Sequence, residues 1–162
     1  MTEAPIVGTP DSAPQITVSV VSHGHGEWLL PLLVSINRTS GGLVSQVVLT
    51  HNLPEAVVFS VHAWSFRLLE LRNTEPLGFG ENHNRAFLHC DTALFCVLNP
   101  DVELPDVTIW QRLVAEAGRP YVGCVYPGLR NTDGSIQDNE RRAVTPLALL
   151  RRRFLGLQRV AH

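Results

Sequence analysis

The stretch Gln15-Ile-Thr-Val-Ser-Val-Val21 carries the clearest structural signal in the sequence. It is rich in β-branched and apolar residues and is bounded by Pro14 and Gly24, which predicts a buried strand. Leucine and isoleucine follow at helical spacing between Glu27 and Asn37, and Pro31 fits this helix only in its first turn. A buried strand that leads into a helix is typical of α/β proteins.

Strands and helices continue to alternate along the chain. The predicted strands are residues 46–50, 66–71, 92–98 and 121–125, and the predicted helices are a weak one at 54–63 and stronger ones at 80–89 and 107–117. This alternation predicts an α/β fold, with a mostly parallel sheet and helices on both faces. Further on, Thr132-Asp-Gly134 predicts a tight turn that could join a hairpin, and residues 146–157 predict a final helix.

The length of 162 residues predicts one domain and excludes two full-sized domains. Apolar residues make up 44% and charged residues 17%, which excludes collagenous, low-complexity and fully disordered chains. No apolar run reaches the roughly 18 residues of a membrane-spanning helix. Residues 1–14 lack the features of a secretory signal, so we expect a flexible lead-in and a cytoplasmic location.

The three cysteines, Cys90, Cys96 and Cys124, are odd in number and form no CxxC pair. All three lie in or beside apolar stretches. We therefore expect buried, reduced thiols rather than disulfides or a zinc site.

The net charge of −2 hides an uneven distribution of charge. All thirteen basic residues are arginine, and six of them lie between Arg141 and Arg159. The basic helix expected at 146–162 has three interpretations: a peripheral contact with the inner face of a membrane, a nucleic-acid contact, or a solvated or partner-facing surface. We favour the solvated surface and expect no nucleic acid, since no aromatic stacking platform accompanies the arginines.

Polar residues follow three of the predicted strands. They are Ser22-His23-Gly24-His25, Thr50-His51-Asn52 and Asn99-Pro-Asp101-Val-Glu103. Ligands of open parallel sheets bind beyond the carboxyl ends of the strands. We therefore expect these three loops to lie near one another and to form the functional site.

Asp101 and Glu103 are the candidate metal ligands. In an extended backbone two residues apart lie on one face, so these carboxylates could share a hard divalent cation, which would neutralise a diphosphate leaving group. The structural alternative is a turn at Pro100-Asp101, with Asp101 or Glu103 capping the helix after Pro105. Spacing alone favours this alternative.

Several blocks of sequence together resemble the family-2 glycosyltransferases, and most closely their rhamnosyltransferase-like branch. The blocks are residues 18–25, 47–52, 72–86, 98–104 and 122–137 with Arg141-Arg142. The resemblance runs in order from about Ile16 to Phe154. It matches the N-terminal, donor-binding half of such enzymes and implies a GT-A-like, nucleotide-sugar-binding domain over residues 15–145.

The resemblance implies a metal-dependent enzyme that transfers a sugar, such as rhamnose, with inversion. The donor would be a dTDP- or UDP-linked sugar, the acceptor a hydroxyl of a glycan or lipid-linked molecule, as in polysaccharide biosynthesis, and the cofactor Mg²⁺ or Mn²⁺. Asp101 matches the carboxylate of the DxD-like motif that binds metal and diphosphate, and Asn99 replaces its first aspartate. By the same resemblance, the other nucleotide-sugar-binding residues are Ser22, His25, His51, Asn52, Gly78, Asn82 and Asn84.

Some of these residues also have structural interpretations. Asn82 could cap a helix that begins near His83, which is compatible with a ligand contact. His23 and His25 could form a metal pair, and His51 stands where the family usually has aspartate. We favour an exposed loop histidine for His51 over a contact with base or phosphate. His83, like His62 and His89, is expected to be structural, and Gly78-Phe-Gly80 alone does not indicate a dehydrogenase.

An inverting transfer needs a general base. No catalytic base is identified in the sequence, and Glu140 is an unsupported candidate. The alternative function is therefore a truncated, non-catalytic nucleotide-sugar-binding or scaffold protein.

Overall fold

The computed structural model describes residues 15–56, 59, 63–131 and 133–137. These residues divide into two compact units between Val125 and Tyr126. The elements of the first unit are β1 (Ile16–Ser22), α1 (Gly26–Thr39), β2 (Val44–His51), β3 (Arg67–Arg72), α2 (Phe79–Phe87), β4 (Leu94–Leu98) and α3 (Thr108–Ala117). The second unit contains β5 (Leu129–Arg130) and β6 (Ile136–Gln137).

The first unit is built on a four-stranded parallel sheet with the order β3-β2-β1-β4. Val18 of β1 pairs with Val47 of β2 on one side and with Cys96 of β4 on the other. β1 is buried over nearly its whole length, as its β-branched sequence predicts. The chain moves from β1 to one side of the sheet and returns to the other side, so a crevice for ligands lies at the carboxyl ends of β1 and β4.

One face of the sheet is covered by α1 and α3. Leu29, Leu33 and Ile36 of α1 are buried in one core cluster with Val18 and other sheet residues. Trp110 of α3 belongs to the same cluster, and its indole N–H donates to Thr39 Oγ1 over 3.0 Å. These contacts fix α1 on this face of the sheet.

Pro31 lies in the second turn of α1 rather than the first, because the helix already begins at Gly26. Pro31 cannot donate a hydrogen bond to the carbonyl of Glu27. Both residues are exposed, so water can reach that carbonyl in place of the missing donor.

The opposite face of the sheet is covered by α2. Ser19 alternates with Val18 and Val20 along β1 and therefore points away from α1, towards His83 of α2. Its hydroxyl oxygen lies 2.8 Å from His83 Nδ1, and burial lowers the pKa of His83. The prediction of an α/β sheet with helices on both faces is confirmed.

Two predicted elements are wrong. In the weak helix expected at 54–63, the described residues are not helical, and Phe59 instead lies in the core. The strand expected at 121–125 is irregular and mostly exposed, and Tyr121 adopts a positive φ of 67°. Tertiary contacts override a weak propensity in the first case, and in the second no described strand pairs with the segment.

The expectation of buried cysteines is only partly correct. Cys90 and Cys96 are half-buried, and burial raises the pKa of Cys96 to about 11. Cys124 is exposed because its segment does not form the expected strand. None of the three forms a disulfide in the described chain.

In the second unit, β5 and β6 form a short antiparallel hairpin. Gly134 adopts the positive φ of 82° that its turn requires, and the Asp133 carboxylate accepts a hydrogen bond from Ser135 N. The predicted hairpin is confirmed at these residues. The expected lead-in at 1–14, the basic helix at 146–162 and Glu140 lie outside the described residues, and no described helix is long and apolar enough to cross a membrane.

The core of α1 gives the first prediction. Leu33 is buried against the sheet, so Leu33→Ala is expected to lower the free energy of unfolding by about 2–5 kcal/mol in urea titrations. Leu30 lies on the exposed side of the same helix, so Leu30→Ala is the matched control and should change it by less than about 1 kcal/mol. Equal losses in the two variants would contradict the described packing.

Candidate functional site

The carboxyl edge of the sheet brings the predicted loops together. Ser22, the last residue of β1, pairs in register with His51, the last residue of β2. The chain after β2 stays close to β1, since Asn52 N donates to Ser22 O over 2.8 Å. Asn99 and Asp101 follow β4, the other neighbour of β1, at the same edge.

Glu55 is the centre of this edge. Its carboxylate accepts hydrogen bonds from Ser22 Oγ at 2.7 and 2.9 Å and from Gly24 N at 2.6 Å. The Ser22 hydroxyl oxygen in turn accepts a hydrogen bond from His25 N over 3.1 Å. The Glu55 side chain is only 7% exposed, so these bonds replace most of its contact with water.

The surroundings of Glu55 favour its ionised form. Burial alone raises the pKa of this carboxyl group, but the hydrogen bonds from Ser22, Gly24 and His51, together with the charge of His51, outweigh it. The net result is a lowered pKa.

His51 lies between two carboxylates. Its Nδ1 is 3.4 Å from Glu55 Oε2 and its Nε2 is 3.0 Å from Glu70 Oε2. The interpretation of His51 as an exposed loop histidine is wrong: the residue is 1% exposed, because it ends the strand that lies between β1 and β3. Arg72 completes the cluster, since its guanidinium donates to Glu70 Oε2 and to the backbone carbonyl of Glu55.

Three asparagines fix the loop before α2. Asn52 accepts hydrogen bonds from Leu77 N and from Asn73 Nδ2, each over 2.8 Å. Asn73 Nδ2 also donates to Asn82 Oδ1 over 2.7 Å. Asn82 is completely buried and donates to the carbonyls of Leu77 and Gly78.

The capping interpretation of Asn82 is wrong. The helix α2 begins at Phe79, with Gly78 as its cap residue, so Asn82 lies inside the first turn and not before it. Its burial makes it a residue that shapes the loop. The neighbouring site residues Gly78 and Asn84 are exposed.

A groove at this edge has a volume of about 460 Å³, and we call it the β2–β3 pocket. It combines an apolar side, formed by Leu53 and Pro54, with the guanidinium of Arg72 and the amide of Asn73. The remaining lining residues are His51, Glu55 and Ala56. A pocket with one apolar side and a few fixed polar groups is typical of small-molecule sites.

The candidate metal ligands are exposed. Asp101 and Glu103 lie in the segment after β4, and a turn occurs at Pro100 and Asp101 as the structural alternative expects. The capping part of that alternative is wrong, because Asp106 accepts the hydrogen bond from Thr108 N at the start of α3.

The carboxylates of Asp101 and Glu103 suit a hard cation whose remaining ligands come from a substrate. Among the described residues, no three His, Cys, Asp or Glu side chains are grouped so that they could hold a metal by themselves. Mg²⁺ is commonly bound by one or two carboxylates together with waters and substrate phosphates, and two exposed carboxylates fit that pattern. In the alternative pair of His23 and His25, both Nδ1 atoms already take part in hydrogen bonds.

Comparison with solved structures finds proteins of similar fold. No family model and no curated protein matches the sequence. The fold is similar to that of the mannosyltransferase PcManGT from Pyrobaculum calidifontis, solved with GDP-Man and Mn²⁺, with a TM-score of 0.60 and 20% identity. The similarity covers 73% of this chain and 37% of that protein, so this chain spans little more than a third of its length.

The Glu55 cluster gives the second prediction. Above the ordinary pKa of 4.5, the ionised Glu55 stabilises the folded state, and this contribution is lost as the pH falls through the lower folded pKa. We expect Glu55→Gln to lower the free energy of unfolding by about 1–3 kcal/mol at pH 7. The difference from the unmodified protein should shrink below pH 4.5.

Urea titrations between neutral and acidic pH measure this difference. Glu75→Gln, at an exposed loop position, is the matched control and should leave the stability nearly unchanged. A Glu55→Gln effect that is the same at every pH would contradict the assigned role of the charge.

Proposed function

We propose that the chain binds a nucleoside-diphosphate sugar at the carboxyl edge of its sheet and serves in glycosyl transfer. The main support for this proposal is that the β2–β3 pocket and the Asp101 segment lie at the same edge of the sheet, one on each side of the end of β1. A pocket on one side suits a nucleoside, and carboxylates on the other suit a metal-bound diphosphate.

The residues of the β2–β3 pocket suit different parts of a nucleoside. Leu53 and Pro54 provide an apolar surface for the base, and the half-exposed guanidinium of Arg72 provides hydrogen-bond donors beside it. His51 and Glu55 hold the pocket in shape through their hydrogen bonds to neighbouring strands. Ser22 and His25, at the end of β1, lie between this pocket and the Asp101 segment.

Asp101, with Glu103, would hold Mg²⁺ or Mn²⁺. The cation, when bound, supplies positive charge that offsets the developing charge of a departing diphosphate. Asn99 contributes an amide where the resembled motif has a carboxylate, which predicts weaker metal binding by the protein alone. The donor phosphates would complete the coordination.

The finer assignment rests on the sequence resemblance. It favours an inverting family-2 enzyme of the rhamnosyltransferase-like branch, a dTDP- or UDP-linked donor and a glycan or lipid-linked acceptor. The structural neighbour was solved with GDP-Man and Mn²⁺, which adds GDP-linked sugars to the donors worth testing. A cytoplasmic location, at the inner face of the membrane, would suit this chemistry.

The proton acceptor for an inverting transfer is not assigned. Asn99 in place of an acid favours the second candidate function, a non-catalytic protein that binds nucleotide sugars or serves as a scaffold. Donor hydrolysis or sugar transfer by the purified chain distinguishes the enzyme from this alternative.

Nucleotide binding gives the third prediction. In calorimetric titrations with GDP, UDP and dTDP, we expect at least one nucleotide to bind, and to bind about tenfold or more tightly with Mn²⁺ present. Asp101→Asn should remove most of that metal-dependent gain, because it removes a charged ligand.

Asp91→Asn is the matched control. Asp91 is also exposed, but it pairs with Arg67 at the amino end of the sheet, far along the strands from the proposed site. This variant should bind nucleotide normally. Absence of binding by all three nucleotides, or metal-dependent binding that survives Asp101→Asn, would overturn the corresponding part of the proposal.

A further inference from the structure

Another groove at the carboxyl edge, which we call the α1 groove, has a volume of about 550 Å³. It lies between the outer side of α1 and the segment after β4. Its apolar surface is formed by Trp28, Pro31 and Val34, and Asp101 and Glu103 line the other side.

Trp28 is an exposed aromatic residue with a fixed orientation. His25 stacks on it, with the ring centres 5.3 Å apart and the planes within 4° of parallel. Despite this contact, 43% of Trp28 remains exposed, and Val34 further along the helix is 46% exposed. The groove therefore presents the stacked indole of Trp28 and an aliphatic surface to solvent.

Both hydrogen-bond acceptors and donors border this apolar surface. The carboxylates of Asp101 and Glu103 are exposed acceptors. Arg38 provides donors at the far end of the groove, and its Nη2 is held against the Asp101 segment by a 3.3 Å hydrogen bond to Leu104 O. Anionic ligands such as lipid headgroups are disfavoured because two carboxylates face one guanidinium.

We infer that the α1 groove binds a pyranose ring of a neutral glycan. The C–H face of a sugar ring carries weak positive charge and packs on the negative face of an indole. Its hydroxyl groups donate to carboxylates and accept from a guanidinium. The groove offers all three: the indole of Trp28 on its apolar side, the carboxylates of Asp101 and Glu103 on the other side, and the guanidinium of Arg38 at its end.

The role of this glycan follows from the proposed function and rests on it. Asp101 belongs both to the groove and to the proposed metal and diphosphate site. A sugar on Trp28 is therefore placed next to the donor, as the acceptor of the transfer must be. Glycan binding itself does not depend on that role.

The binding can be measured by NMR on the ¹⁵N-labelled full chain. Methyl mannoside, methyl rhamnoside and maltotriose are titrated separately at millimolar concentrations. We expect at least one of them to shift the indole N–H signal of Trp28 and the amides of Val34 and Val102. The indole signals of Trp64 and Trp110 should stay in place, because neither residue lines the groove.

Two variants test the assignment. Trp28→Ala should weaken glycan binding about tenfold, read from the amides of Val34 and Val102, because it removes the stacking surface. Val34→Glu should weaken it similarly by placing a charge on the apolar side. Phe79→Ala removes an even more exposed aromatic residue outside the groove and is the control. Val34→Glu and Phe79→Ala should keep the nucleotide affinity of the unmodified protein.

The outcomes separate the two proposals. Glycan shifts in a protein that binds no nucleotide would support the groove and overturn the donor site. Nucleotide binding with no Trp28 shift for any glycan would overturn the groove and leave the donor site standing. A Trp28 shift caused by the nucleotide sugar and not by free glycans would assign the groove to the donor and contradict the acceptor role.

Discussion

The hydrogen bonds around the Glu55 carboxylate are the constraint on which the carboxyl edge depends. They join residues 33 and 31 positions apart in sequence, because Ser22 ends β1 and Gly24 follows it, whereas Glu55 follows β2. A nearly buried carboxylate without such partners would cost several kcal/mol. The two loops can therefore keep this charge buried only in the arrangement that also forms the β2–β3 pocket.

The parallel sheet makes this arrangement possible. β1 is buried between β2 and β4, so its end is fixed by packing along the whole strand, and its last residue lies beside His51. The hydrogen bond between His51 and Glu70 in turn links this edge to β3. Binding groups held by strands in this way are more rigid than groups held by loops alone.

Local patterns predicted the parts of the fold that depend on local physics. The β-branched run of β1 and the helical spacing of the leucines in α1 correctly predicted which residues are buried. The polar residues at the strand ends predicted where a site would form. Glu55 was missed because no pattern near it signals a carboxylate that bonds to another loop. The burial of His51 could not be predicted because it depends on the order of the strands in the sheet. The strand expected at 121–125 does not form because apolar residues alone do not supply a strand to pair with.

The proposed function requires this edge to bind a metal-bound nucleoside diphosphate, with the nucleoside on one side of β1 and the diphosphate on the other. Paramagnetic broadening of NMR signals by substoichiometric Mn²⁺ in the presence of the nucleotide that binds best tests it most directly, with Mg²⁺ as the diamagnetic control. Amides near Asp101 and Ser22 are expected to broaden first, whereas Gln46 and Leu94 at the amino ends of their strands remain sharp. Broadening centred on the amino ends, or none that depends on nucleotide, would contradict it.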